Sequence, residues 1–181
     1  MKAANYFELL SRAAQNAPNE AIGEAIDLIT KAADGKQSLF ICGNGGSALT
    51  ASHFVTDLAK MCWVNRKKQL KAFCLSDNIG MLTAYANDLS YDDVFSEPLQ
   101  NYGTEGDLLI VISGSGNSEN VVRALKTAKK LKISSIGVSG FSGGRVKELS
   151  DVSVHFPVDD MQIVEDLHLS FIHIVMKQLC L

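Results

Sequence analysis

The sequence predicts a three-layer α/β/α sandwich, built on a doubly wound parallel sheet and preceded by two helices. Five short apolar runs alternate with stretches of helical periodicity from residue 38 onwards. The runs are nearly continuous in their apolar character, which is typical of parallel strands that helices cover on both faces. Two helical segments precede the first run, and a plain α/β unit does not need them.

The segment before residue 38 contains the two leading helices. Apolar residues from Tyr6 to Ala13 recur at helical spacing, Pro18 interrupts the pattern, and a second apolar series ends before Gly35. The pair has a sizeable apolar face to bury. We therefore expect residues 1–35 to form a helical extension used in oligomerisation, within a single domain that spans residues 1–181.

From residue 38 the chain alternates between predicted strands and helices. Strands are expected over residues 38–42, 70–76, 107–113, 133–139 and 151–157. Helices are expected over residues 47–61, 78–87, 91–102, 118–131, 143–150 and 161–181. With right-handed crossovers, this order gives a sheet whose ligands bind at the carboxyl ends of the strands.

Composition restricts the classes of partner. The chain has 17 basic and 20 acidic residues and a net charge of −3, so no basic excess favours a nucleic-acid partner. Its apolar runs are shorter than the ~18 residues of a membrane span, which argues against a membrane protein. The four cysteines contain no CxxC pair and match no disulfide or zinc framework. They predict a reduced chain in the cytoplasm.

Two predicted strands end in loops rich in glycine and serine. GNGGS (43–47) follows the first strand, GSGNS (114–118) follows the third, and each leads into a helix. Glycine lets the backbone approach a ligand, and a helix N-terminus offers N–H donors and a positive dipole. Neither loop has the lysine of a P-loop or the dinucleotide pattern. Together they predict a site for a small phosphate ester, although either loop alone fits a helix cap and a turn.

Ionisable side chains share helix faces further along the chain. His53 and Asp57 are four residues apart and so lie on one face of the helix after the first loop. The closing helix carries Glu165, His168 and His173. Because leucines flank His168, we expect it to have a structural or supporting role.

Four segments resemble the phosphoheptose isomerase branch of the sugar isomerase (SIS) domain family. They are GNGGSALTASHFVTDL, ANDLSYDDVF, GDLLIVISGSGNSENVV and VEDLHLSFIHIV, and the similarity extends from about residue 38 to 180. The resemblance implies an SIS-type, flavodoxin-like sandwich. It also implies an isomerase that converts sedoheptulose 7-phosphate to D-glycero-D-manno-heptose 7-phosphate for bacterial surface heptose. The family further implies a homotetramer with active sites between subunits and a zinc ion, with another divalent ion as the alternative.

The resemblance also implies roles for individual residues. Those expected to bind substrate are Asn44, Gly45, Gly46, Ser47, Asn87, Asp88, Ser113, Gly114, Ser115, Ser118 and Glu165. Those expected to hold a metal are His53, Asp57, Glu165 and His173. Proton transfer in an aldose–ketose isomerisation needs a base and an acid. Our hypothesis assigns these roles to Asp57 and His173, with Glu165 as the alternative base.

Three positions depart from the family's pattern. Asp57 stands in place of a glutamate, which shortens its reach by about 1.5 Å, the length of one carbon–carbon bond. Glu165 replaces a glutamine, and Gly114 stands where threonine is frequent. These changes leave an alternative function open. The chain would then be a non-catalytic SIS protein that binds a replication initiator or senses a phosphosugar.

Overall fold

The computed structural model describes residues 2–180, apart from the side chains of Arg66 and Cys180. The strands are β1 (Ser38–Gly43), β2 (Lys71–Cys74), β3 (Leu108–Ser113), β4 (Ser134–Ser139) and β5 (Val152–His155). The helices are α1 (Ala3–Gln15), α2 (Asn19–Asp34), α3 (Gly46–Arg66), α4 (Ile79–Asp88), α5 (Ser96–Tyr102), α6 (Glu119–Leu131), α7 (Gly144–Leu149) and α8 (Met161–Cys180). A 3₁₀ turn spans Tyr91–Asp93.

The strands form one sheet in the order β2-β1-β3-β4-β5, and every neighbouring pair is parallel. The predicted doubly wound architecture is therefore confirmed. The chain order reverses between β1 and β3, which is where such sheets bind ligands. Gly43 pairs with Ile112, so the loops after these two strands leave the same edge of the sheet side by side.

Successive residues of the central strands enter two different cores. In β1, Leu39 and Ile41 pack among the residues of α2, α3 and α8, whereas Phe40 and Cys42 pack towards α5 and α6. This follows from the two-residue period of a strand, whose side chains alternate between the faces of the sheet. Because both faces are covered, the strand is apolar along almost its whole length.

One predicted helix is wrong in its extent. The segment 91–102 divides into the 3₁₀ turn and α5, with Val94 and Phe95 fully buried between them. Both side chains belong to the core on the α6 side of the sheet. An unbroken helix over residues 91–102 would place Pro98 in its interior, where proline lacks the N–H for a helical hydrogen bond and its ring clashes with the preceding turn. In α5, Pro98 lies in the first turn, where no such hydrogen bond is needed. The helix after the first loop also continues to Arg66, beyond the predicted end at residue 61.

The two leading helices differ in how they pack. α2 buries five of its residues, and four of them belong to the core on the α3 and α8 side. All residues of α1 are described and none of them is buried, and Phe7 is 66% exposed. The Tyr6 hydroxyl donates a hydrogen bond to Asp166 on α8 at 2.7 Å, and this carboxylate raises the pKa of Tyr6 to about 12. α1 thus rests on α8 and leaves an apolar face open.

The cysteine prediction needs a correction. Cys42 and Cys74 are free thiols, but Cys62 takes part in a disulfide bond. The expectation of a fully reduced chain is therefore wrong at Cys62. Cytoplasmic location stays a prediction that cysteine usage no longer supports. Among the described residues, no helix has the length and apolar character needed to cross a bilayer.

Candidate active site

A small cavity lies where β1 and β3 end. It measures about 150 Å³ and is lined by Asn44, Ser47, Ile112, Ser113, Gly114, Ser115, Ser118, Met161 and Glu165. Seven of these residues are among those predicted to bind substrate. A larger, mainly apolar cavity of about 420 Å³ lies beside β2, and none of the predicted site residues lines it. The small cavity therefore fits the predicted chemistry, since small polar donors from both loops meet there.

Internal hydrogen bonds shape the loop after β3. The Ser113 hydroxyl accepts a hydrogen bond from the Gly116 amide at 3.2 Å, and the Ser115 hydroxyl accepts one from the Asn117 amide at 3.3 Å. Gly116 has a φ of +68°, and a Cβ there would lie 2.0 Å from the carbonyl oxygen of Gly143. Only glycine fits that position. The loop then enters α6 directly after Ser118, so the positive end of this helix adjoins the cavity.

The loop after β1 brings the start of α3 against Glu165. Gly45 adopts a φ of +53°, and α3 begins at the next residue. A Cβ on Gly46 would stand 2.7 Å from Oε1 of Glu165, so the absence of a side chain at Gly46 admits this carboxylate. A helix N-terminus favours a negative charge nearby. Glu165 accordingly faces the loop and the cavity.

Met161 lies against Gly114, the position at which the family resemblance implies a frequent threonine. A Cβ on Gly114 would lie 2.5 Å from the sulfur of Met161. A larger residue at 114 would therefore require the end of the Met161 side chain to move. Met161 was not predicted as a residue of the cavity, because a methionine at the start of an apolar helix gives no indication of a binding role.

His53, Asp57 and His173 form a separate cluster on α3 and α8. Nε2 of His53 lies 3.2 Å from Oδ2 of Asp57, and the two imidazole rings have centroids 5.2 Å apart. One potential ligand atom from each residue lies within 4.8 Å of the others. Two imidazoles and one carboxylate fit a zinc ion with an open coordination position. Three of the four predicted metal ligands therefore come together.

Glu165, the fourth predicted ligand, is not a member of this cluster. It precedes His173 by eight residues, about 12 Å along the helix axis. His53 similarly follows Gly46 by seven residues, about 10 Å along α3. Within one chain, the histidine cluster and the cavity are two neighbouring sites about two helical turns apart.

Asn87 and Asp88 end α4, and both are exposed. The Asn87 amide donates a hydrogen bond to the Asp88 carboxylate at 2.9 Å. Neither residue lines the cavity. Their predicted contact with substrate stays a prediction.

His168 lies in the protein interior, 1% exposed. Among the described residues, neither of its ring nitrogens has a hydrogen-bond partner of normal geometry. Burial lowers its pKa to about 4, and the backbone of Ser139 opposes this shift. The imidazole is therefore neutral at pH 7 and packs near the ring of Phe156, which supports the structural role predicted for it.

Comparison with known proteins agrees with the geometry. A family model for the SIS domain matches residues 4–140. The chain belongs to the SIS domain family. The phosphoheptose isomerase of Helicobacter pylori is 38% identical over 156 residues, covering 86% of this chain and 81% of the relative. The probable phosphoheptose isomerase of Thermoplasma acidophilum is 37% identical over 175 residues, covering 97% of this chain and 96% of the relative.

A solved structure extends this agreement to the fold. The phosphoheptose isomerase of Neisseria gonorrhoeae superimposes with a TM-score of 0.90 and 31% identity. The match covers 97% of this chain and 95% of that one. The SIS family resemblance and the SIS-type sandwich predicted from the sequence are therefore confirmed.

Proposed function

We propose that this SIS-family chain is an aldose–ketose isomerase that converts sedoheptulose 7-phosphate to D-glycero-D-manno-heptose 7-phosphate. One observation carries the proposal: a phosphate-sized cavity and a His–Asp–His cluster occur together in one chain. Its similarity to phosphoheptose isomerases over most of its length supports the same substrate class. The product would supply heptose for lipopolysaccharide or capsule.

The cavity would hold the phosphate through neutral donors. Ser113, Ser115 and Ser118 offer hydroxyls, and the first turns of α3 and α6 offer amide N–H groups. Asn44, Gly45 and Gly46 would meet the sugar chain. Among the described residues that line the cavity, Glu165 is the one with an ionisable side chain. It suits hydrogen bonds from sugar hydroxyls better than contact with the phosphate.

The histidine cluster would carry the proton transfer. Isomerisation moves one proton between C1 and C2 through an enediol, which requires a base at carbon and an acid at the carbonyl oxygen. Asp57 would be the base and His173 the acid, with Glu165 as the alternative base. The 3.2 Å contact with His53 holds the Asp57 carboxylate beside His173.

His53, Asp57 and His173 would also hold a divalent cation, with zinc as our first choice. Proton transfer would then use the oxygen of Asp57 and the ring nitrogen of His173 that the ion leaves free. Such an ion supplies a Lewis acid that polarises the carbonyl group of the sugar. Glu165 of the same chain faces the other site. As the predicted fourth ligand, Glu165 would have to come from another copy of this chain, and a coordination position must still stay open for the sugar carbonyl.

A homotetramer with active sites between subunits would bring the two sites together. The cavity and the cluster lie about two helical turns apart along both α3 and α8, and His53 and His173 are exposed. The open apolar face of α1 offers contact area for a second copy. In this arrangement the cluster of one copy would complete the cavity of another.

Proton NMR of sedoheptulose 7-phosphate incubated with the purified chain and zinc tests the proposed function. We expect the signals of the aldose heptose phosphate to appear. They should not appear with Asp57→Asn. Binding of the sugar phosphate without conversion would instead favour a phosphosugar sensor. If the chain neither binds nor converts the sugar but captures a replication initiator, it is the non-catalytic SIS protein of the alternative function.

A further inference from the structure

Asn120 occupies an unusual place for a polar side chain. It lies in the first turn of α6 and is 2% exposed. Its amide faces Asn44 of the other loop, and the two side chains bond reciprocally. Nδ2 of Asn44 donates to Oδ1 of Asn120 at 2.9 Å, and Nδ2 of Asn120 donates to Oδ1 of Asn44 at 2.9 Å. This amide pair joins the loop after β1 to the helix after β3.

Each amide oxygen of the pair accepts a second hydrogen bond from a neighbouring residue. The hydroxyl of Tyr91 donates to Oδ1 of Asn44 at 2.9 Å, and the backbone N–H of Val121 donates to Oδ1 of Asn120 at 2.9 Å. Each amide oxygen thus accepts two hydrogen bonds. Among the described residues, the second N–H of the Asn44 amide has no partner, and Asn44 lines the cavity. The network therefore fixes the orientation of Asn44 and leaves one donor for a ligand.

An ion pair ties the same 3₁₀ turn to α6. Arg123 contacts Asp93 at 2.6 Å and Asp92 at 3.3 Å, so the turn that carries Tyr91 is anchored to the helix that carries Asn120. The anchoring carboxylate of Asp93 has a lowered pKa because Ser90 and Arg123 hydrogen-bond to it. Two elements therefore hold Asn44. The helix α6, which follows β3, contacts it through Asn120, and the 3₁₀ turn, which follows β2 and α4, contacts it through Tyr91.

We propose that Asn120 is a positioning residue that fixes the distance between the two loops and aims the Asn44 amide at the bound sugar. The proposal rests on the proposed function, since it takes the cavity to be the phosphosugar site. A carboxylate at 120 could not replace the amide, because the atom facing Oδ1 of Asn44 must be a donor. Asn120 is buried and does not line the cavity, so it acts through Asn44.

Steady-state kinetics with sedoheptulose 7-phosphate test this role. Removing a positioning contact misplaces a binding group, so Asn120→Ala should lower kcat/KM by about tenfold to a hundredfold. The KM should carry most of this loss, because Asn44 would bind the sugar in the ground state and the transition state alike. Asn120→Asp keeps the size of the side chain, and we expect it to raise the KM as well.

A matched control separates positioning from general loss of stability. Ser135→Ala removes two part-buried hydrogen bonds at the opposite ends of the strands. The Ser135 hydroxyl donates one to the Asp151 carboxylate at 2.8 Å and accepts the other from the Asp151 backbone N–H at 3.1 Å. The KM of Ser135→Ala should stay within twofold of the wild-type value. The effects of Asn44→Ala and Asn120→Ala should not add, because both remove one contact. Additive losses, or an equal rise of KM in the control, would overturn the proposal.

Amide hydrogen exchange gives a readout that does not need activity. In Asn120→Ala, exchange should become faster at residues 44–48, whereas residues 134–139 should keep their rates. Unchanged exchange in the first loop would overturn the positioning role even in an active enzyme. If the wild-type chain does not isomerise the sugar, the proposed function fails, and hydrogen exchange still decides whether Asn120 orders the loop.

Discussion

His173 and His155 form a matched pair for testing the acid at the level of single residues. His173 belongs to the histidine cluster, whereas His155 ends β5, where its Nε2 lies 3.0 Å from the carbonyl oxygen of Phe141. General acid catalysis contributes about 10²- to 10⁴-fold, so His173→Gln should lower kcat by at least about a hundredfold. His155→Gln should keep kcat within a few fold. An active His173→Gln enzyme would exclude His173 as the acid.

His168 should make the protein sensitive to acid. Its pKa is about 4 in the folded chain and 6.5 in the unfolded chain, so the unfolded state binds a proton first as the pH falls. The stabilisation is complete above about pH 6.5 and is lost progressively down to about pH 4. The loss amounts to about 3 kcal/mol in the free energy of unfolding.

Urea unfolding at a series of pH values checks this prediction. The wild-type free energy of unfolding should fall between pH 6.5 and pH 4. His168→Leu should fall less steeply over the same range, because leucine takes up no proton. Parallel curves for the two proteins would show that another group causes the acid sensitivity.

Residues of the cavity were predictable from the sequence where glycine and serine follow a predicted strand. Glycine and serine at strand ends identified Ser113, Ser115 and Ser118, because those residue types suit a phosphate. Asn120 and Met161 are not residue types that indicate a phosphate site, so the sequence did not predict them. Their roles depend on which side chains face each other across two loops, and that arrangement is a property of the folded sheet.

At the scale of elements, the loop after β3 depends on the backbone of Gly116. An alanine there would combine a φ of +68° with a contact of 2.0 Å to a backbone oxygen, so the loop would have to move. We expect Gly116→Ala to lower the free energy of unfolding by at least about 1–3 kcal/mol and to weaken phosphate binding. Chemical denaturation and titration with inorganic phosphate measure the two effects.

Gly23, unlike Gly116, lies where a side chain can be added without steric conflict. It lies in the exposed part of α2, and a Cβ there would meet nothing within 4 Å. Gly23→Ala should therefore raise the free energy of unfolding by about 0.5–1 kcal/mol, since alanine favours a helix over glycine. A loss of stability in Gly23→Ala equal to that in Gly116→Ala would contradict the backbone argument.

Strands and helices were predictable because their patterns are local. All five strands of the described chain lie within the predicted ranges, or one residue beyond them. The division of segment 91–102 was open to prediction from Pro98, because proline suits the first turn of a helix and not its interior. The role of residues 1–35 in oligomerisation stays a prediction. α2 completes the core of its own chain, and α1 alone keeps an open apolar face.

At the scale of the whole molecule, shared active sites predict complementation between inactive variants. His173→Gln damages the cluster, and Ser118→Ala damages the cavity. If each site combines the cluster of one copy with the cavity of another, randomly mixed tetramers should regain about a quarter of the wild-type sites. Co-expression with two affinity tags and assay of the doubly tagged protein measure this recovery. Activity no higher than that of the two parents would mean that each chain forms its own site.

Solvent deuterium exchange tests the isomerase assignment most directly. The purified chain, loaded with zinc, is incubated with sedoheptulose 7-phosphate in heavy water, and the recovered sugar is analysed by mass spectrometry and NMR. An enediol mechanism predicts deuterium at C1 of the ketose or C2 of the aldose, with little incorporation by Asp57→Asn. A sugar that binds and is recovered without deuterium would contradict the account.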